Sequence, residues 1–196
     1  MRTLIFIGFC CLALSFTAEA RTIVAGNGMP VRSLKEALSL SAPGDTIIVT
    51  AGTYREGNIV IKKPVTIIGQ HYPVFDGEHK YEIFTIASSN VTVSGLKFVA
   101  TGAASMNDIA AVSVVNAKNV TIINNRFDDT FFGIHFSNSS RSTVENNRLR
   151  AYAAGQYEIG NGIHMWKCTN MTVRNNEIRG HRDGIDDRVT MLAKVP

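Results

Sequence analysis

The chain has 196 residues, which fits one domain or at most two. With 45% hydrophobic and 18% charged residues it is neither disordered nor collagen-like, and nothing beyond its first twenty residues is long and apolar enough to span a bilayer. The formal net charge of +4 is spread along the chain, without the clustered Lys/Arg and aromatic pattern of a nucleic-acid groove, so a solvated surface is expected and nucleic acid is not a predicted partner.

Residues 1–20 read as an export signal. Arg2 supplies a positive start, Leu4 to Phe16 is an apolar run too short to span, and Ala18-Glu19-Ala20 offers small residues for cleavage. Cys10 and Cys11 fall inside this leader, which leaves Cys168 as the single thiol of the exported chain. One thiol cannot form an internal disulfide, so burial and hydrogen bonding must hold the domain together. After Pro30, the residues Val31, Leu34, Ala37 and Leu38 recur at helical spacing, and Pro43-Gly44-Asp45 ends the segment. An amphipathic helix here would cover the open end of an adjoining sheet.

The rest of the chain is built on a repeat. Asn90-Val-Thr-Val-Ser-Gly-Leu-Lys-Phe98 recurs as Asn119-Val-Thr-Ile-Ile-Asn-Asn-Arg-Phe127, Arg141-Ser-Thr-Val-Glu-Asn-Asn-Arg-Leu149 and Asn170-Met-Thr-Val-Arg-Asn-Asn-Glu-Ile178, with a looser copy at Pro64 to Gln70. The starts are 29, 22 and 29 residues apart, so a unit of 22 carries two added segments, 101–108 and 151–160. A second apolar alternation precedes each copy: Phe84-Thr-Ile86, Val112-Ser-Val114, Ile134-His-Phe136 and Ile163-His-Met165. Two strands per turn are therefore expected. A unit this short cannot bury its own face, so successive units must stack.

An all-β fold, a right-handed parallel β-helix with an N-terminal capping helix, meets these demands over residues 21–185. Coils about 4.8 Å apart place equivalent residues above one another. The pairs Asn124-Asn125, Asn146-Asn147 and Asn175-Asn176 then mark a recurring turn, because Asn tolerates left-handed backbone and stacked amides can bond from coil to coil. The spacing lacks the leucines of a leucine-rich repeat and is about half a β-propeller blade. Residues 186–196 are expected to be an irregular tail, from a fragment of a longer solenoid or from a shifted reading frame.

Gly162-Ile-His-Met-Trp166, Asn170-Met-Thr-Val173 and Gly180-His-Arg-Asp-Gly-Ile185, with Ser33 to Leu38 and Pro43 to Tyr54, resemble the NosD family, the exported copper maturation factor of nitrous oxide reductase. The resemblance implies a periplasmic, non-enzymatic protein, longer than this chain, that helps load Cu(I) into the reductase. Its implied partners are the membrane subunits of an ABC transporter, a copper chaperone and the reductase itself, with the membrane met only through those partners.

Strand parity places His135 and His164 in one outward column, within about 5 Å at the base, close enough to share a metal ion. The alternative is two exposed histidines produced by copying one unit. Cys168, Met106 and His181 complete the candidate copper ligands, imidazole and soft sulfur being suited to that metal. Met165 and Met171 share the inward parity and are expected in the core. Two further classes stay open. Asp128-Asp129, Asp183 and Asp186-Asp187 are the acidic clusters that polysaccharide cleavage could draw on, and Trp166, Tyr152 and Tyr157 could stack on sugars. The added segments, entering at equivalent points, would project from one side and could dock a partner without any catalytic group.

Overall fold

The computed structural model describes residues 19–103, 109–152 and 159–188. Its coils follow the repeat, with three strands each instead of two. After β1 (Thr22–Ala25) and helix α1 (Leu34–Leu40) come β2 (Thr46–Val49), β3 (Thr53–Tyr54) and β4 (Ile59–Ile61), then β5 (Thr66–Gly69), β6 (Val74–Asp76) and β7 (Phe84–Ile86). The next coils are β8 (Thr92–Ser94), β9 (Lys97–Val99), β10 (Ala110–Val115), followed by β11 (Thr121–Ile123), β12 (Arg126–Asp128), β13 (Phe132–Ser137). The last are β14 (Thr143–Glu145), β15 (Arg148–Arg150), β16 (Ile163–Trp166), and β17 (Thr172–Arg174), β18 (Glu177–Arg179), β19 (Ile185–Arg188). The extra strand, Arg126–Asp128 and its equivalents, is only three residues long and comes directly after the Asn turn. That length is too short for an alternation to stand out.

Three parallel sheets result. The first runs β1-β2-β5-β8-β11-β14-β17, the second β3-β6-β9-β12-β15-β18 and the third β4-β7-β10-β13-β16-β19. Strands one coil apart pair in register, so inward side chains form columns, such as Ile67-Val93-Ile122-Val144 in the first sheet and Phe75-Phe98-Phe127-Leu149 in the second. The aromatic column stacks, with Phe98 and Phe127 ring centroids 5.0 Å apart. Each such fully buried side chain contributes roughly 1.5–3 kcal/mol, which explains how a domain without disulfides closes.

The asparagines do what the sequence leads one to expect. Asn124, Asn146 and Asn175 take left-handed backbone, with φ of 57°, 54° and 55°. The second residue of each pair turns inward and bonds along the stack: Asn125 Nδ2 donates to Asn147 Oδ1 at 3.2 Å, and Asn147 Nδ2 to Asn176 Oδ1 at 3.0 Å. Each amide also donates to a carbonyl of the coil before it, Asn147 to Ile122 at 2.9 Å, and Asn147 Oδ1 accepts the Asn125 backbone N–H at 2.9 Å. The left-handed column of Asn124 begins in the two preceding coils with Gly69 and Gly95, the latter at φ 70°; a Cβ on Gly95 would lie 2.8 Å from the Gly69 carbonyl oxygen.

Helix α1 covers the first coil as expected. Its N-cap Ser33 accepts from the Glu36 N–H at 3.1 Å, and Leu34, Ala37 and Leu38 are buried. At the other end one expectation is corrected. Ile185–Arg188 continues the third sheet by pairing with β16, so the ordered solenoid extends three residues into the segment expected to be an irregular tail.

Candidate functional site

The outward face of the third sheet carries a polar column. Register pairs Thr85 with Ser113, Ser113 with His135, His135 with His164 and His164 with Asp186. The two imidazoles lie as close as the repeat requires, with ring centroids 4.8 Å apart and planes at 80°. They point away from the solenoid interior, yet they are not exposed as the alternative reading expected: His135 is 8% and His164 7% accessible. Phe132, at the start of β13, accounts for part of this cover by stacking on His164 at 5.5 Å.

Beyond them the column opens into a cleft of about 350 Å³ lined by Phe132, His135, Ser137, His164, Trp166, Arg182 and Asp186. Its C-terminal end is cross-braced. Asn161, fully buried, donates to Asp186 Oδ2 at 2.8 Å and accepts from Arg182 at 3.0 Å, while His164 Nε2 lies 3.7 Å from the same Asp186 oxygen. Trp166 lies two residues after His164 on the same face and stands 39% exposed at the rim. The site therefore combines an aromatic plane, a guanidinium, a carboxylate and two imidazoles in an open trough.

The opposite end of the column closes on Glu82. Its carboxylate accepts from the Thr85 hydroxyl and from Asn58 Nδ2 at 3.4 Å. Burial pushes the Glu82 carboxyl above its usual range, against the opposing pull of these bonds.

The four candidate copper ligands that fall within the described residues do not converge. Cys168 is fully buried, its Sγ 3.4 Å from the Trp166 carbonyl to which it donates, and burial pushes its thiol up and away from the thiolate a metal needs. His181 is half-buried beside the Phe131 and Gly160 carbonyls, where desolvation pulls its pKa down. Met106 lies outside the described residues, as does Tyr157. Among the described residues no three His, Cys, Asp or Glu side chains group as a metal site. Only the His135–His164 adjacency survives from that set. Met165 and Met171 are core residues.

The acidic candidates also divide. Asp128 sits on the second sheet, where it pairs with Lys97 at 3.2 Å and accepts from the Tyr152 hydroxyl at 2.9 Å. Asp183 pairs with Arg182 at 3.4 Å, and Asp186 faces the cleft. Arg182, Asn161 and Phe132 are absent from the sequence-based candidates. A signal for Asp186 does exist: Gly133-Ile-His, Gly162-Ile-His and Gly184-Ile-Asp are one repeat position, so alignment alone puts Asp186 in the histidine column.

Residues 74–187 match the family described as the right-handed β-helix region. The chain belongs to that family. The chain has no match among curated proteins. Solved structures with a similar course include the pectin methylesterase PemA from Erwinia chrysanthemi, at 12% identity and a TM-score of 0.49 over 84% of this chain and 68% of that one. A rhamnogalacturonan lyase aligns at 11% identity and a TM-score of 0.45 over 88% of this chain, which spans 60% of the lyase. A pectin methylesterase from Aspergillus niger aligns at 13% and 0.34, over 91% of this chain and 92% of that one.

Proposed function

We propose that this β-helix protein binds a polysaccharide in the cleft of the third sheet, as an exported binding protein. The observation that carries the reading is Trp166, exposed at the rim of a trough that also presents Arg182, Asp186 and the His135–His164 pair. A sugar ring offers an apolar face for an indole and hydroxyls for flanking planar polar groups, and a cleft open to solvent beside Trp166 admits such a ring. Arg182 and Asp186 are held by Asn161, so ordering them on binding adds little entropic cost.

Trp166 is the sole tryptophan, so its fluorescence reports occupancy of the cleft directly. Titration with methyl-esterified galacturonan oligomers is expected to shift or quench that emission, and Arg182→Ala to weaken the response by about tenfold, one lost charge-assisted hydrogen bond. An emission spectrum unchanged by this glycan at millimolar concentration overturns the reading. Release of new reducing ends would replace binding with cleavage.

A second reading, copper handling in the manner implied by the NosD resemblance, is favoured by the 4.8 Å separation of the two imidazole rings. On that reading the partners are the transporter, the chaperone and the reductase, in the periplasm. Anaerobic Cu(I) titration against a competing chelator tests it. Loss of affinity in His135→Ala/His164→Ala is expected, and equal affinity in both proteins removes it.

A further inference from the structure

The second sheet holds a different feature. The sequence spreads its basic residues along the chain, but the register gathers them on one outward face. Lys97, Arg126 and Arg148 stand directly above one another, and Arg150 and Arg179 continue the adjacent column. With Arg55, which reaches Asp76 at 3.0 Å, the face carries six basic side chains against the three acids Asp76, Asp128 and Glu177. Like charges on directly opposed strand positions destabilise a sheet. The core does not need them, because the inward residues between them, Phe98, Phe127 and Leu149, already fill the interior.

The ladder is only partly neutralised. Asp128 holds Lys97, and Glu177 holds Arg148 at 2.9 Å and Arg179 at 2.9 Å. Arg126 lies over the Tyr72 ring at 3.8 Å, which stiffens the guanidinium without cancelling its charge. A shallow depression of about 140 Å³ runs between Lys97, Arg126, Asp128, Arg148 and Arg150. Tyr152, 61% exposed, stands at its margin.

We propose that this face is a track for a linear acidic polysaccharide, laid along the solenoid axis with its carboxylates meeting successive rungs. Single-file cations about 4.8 Å apart complement a polymer with a regularly repeated negative charge. A single-stranded nucleic acid fits less well. Its affinity without sequence preference draws on a succession of exposed aromatic platforms for base stacking, and here the Tyr72 face is already occupied by Arg126, so that Tyr152 offers one platform where a strand needs several. The inference stands on charge and register of a sheet separate from the cleft, and it does not depend on the cleft's role.

The test is affinity electrophoresis of the full chain through gels containing polygalacturonate, its fully methyl-esterified form, or oligo-dT. Wild type is expected to be retarded at least tenfold more strongly by polygalacturonate than by the neutral ester, which meets only the cleft, or by oligo-dT. Arg126→Gln/Arg148→Gln should weaken that retention at least tenfold and flatten its salt dependence, as expected when two ion contacts are lost. Lys62→Gln, which removes one exposed charge elsewhere, should change it less than twofold, with circular dichroism confirming the fold of each variant. Equal retention of wild type and the double variant overturns the proposal, as does equal retention by the neutral ester or stronger retention by oligo-dT. Loss of polygalacturonate retention in Trp166→Ala but not in the double variant would move the acidic chain to the cleft and likewise overturn the track, whereas the reverse pattern supports the track whatever the fate of the cleft.

Discussion

The asparagine turn and the histidine column are built by the same device, one polar residue copied into each coil and stacked by register, yet they end in different chemical states. At the turn every buried amide donates to a carbonyl below and to the next amide, and accepts a backbone N–H in return. Nothing is left there for a ligand. The histidine column changes character along its length, from Glu82 and hydroxyls to imidazoles to Asp186, and its far end opens into solvent beside Trp166. Uniform copies give a closed structural ladder, and divergent copies give a site.

That contrast can be broken most severely at Asn147. Replacing it with Leu leaves the Asn125 N–H and the Ile122 carbonyl buried without their partner, a loss of about 2–5 kcal/mol. Urea denaturation should register this, and melting should fall by roughly 10 °C for a domain of this size. A variant that melts with wild type would show that the ladder is ornament. His164→Ala is expected to have a smaller effect, about 1–2 kcal/mol from lost packing against Phe132, while the cleft loses ligand. A stability loss matching that of Asn147→Leu would make the histidine column structural as well.

The smallest expected effect sharpens the comparison at Glu82. Its folded pKa is raised above the unfolded value, so the folded state keeps the proton longer, and stability is greatest below about pH 4 and declines as pH rises through the raised pKa. Glu82→Gln removes that decline while its amide oxygen still accepts from Thr85. The variant should therefore melt a few degrees above wild type at pH 7 and together with it at pH 4. Coincident melting curves at both pH values would show that burial places no penalty on this carboxylate.

Much of the solenoid was legible because spacing is geometry in a repeat. Intervals of 22 and 29 residues reappear as Thr121 over Thr143 and Thr143 over Thr172, and the Asn pairs turn as their chemistry demands. The third strand was not legible, because Lys97–Val99 and its equivalents are too short to show a period. Parity gave the direction of His135 and His164 but not their cover. Phe132 stacks on His164 from the preceding coil, and Arg182 lines the same cleft, held by Asn161 across 21 residues of sequence; no local pattern announces such contacts. The basic face was hidden for a similar reason, since residues 22 or 29 apart look scattered until the coils are superposed.

The 22-residue step that sets Thr121 over Thr143 also governs how such a rod can change size. A tandem duplication of one whole turn inserts a segment whose two ends already match its neighbours, so every stack lengthens by a single tile and no side chain changes sides. An insertion of any other size must leave the coil between two strands, as the sequence intervals of 29 residues require, or it throws all three faces out of step at once. Growth of this molecule is therefore quantised, with novelty confined to its corners and to the drift of individual tiles.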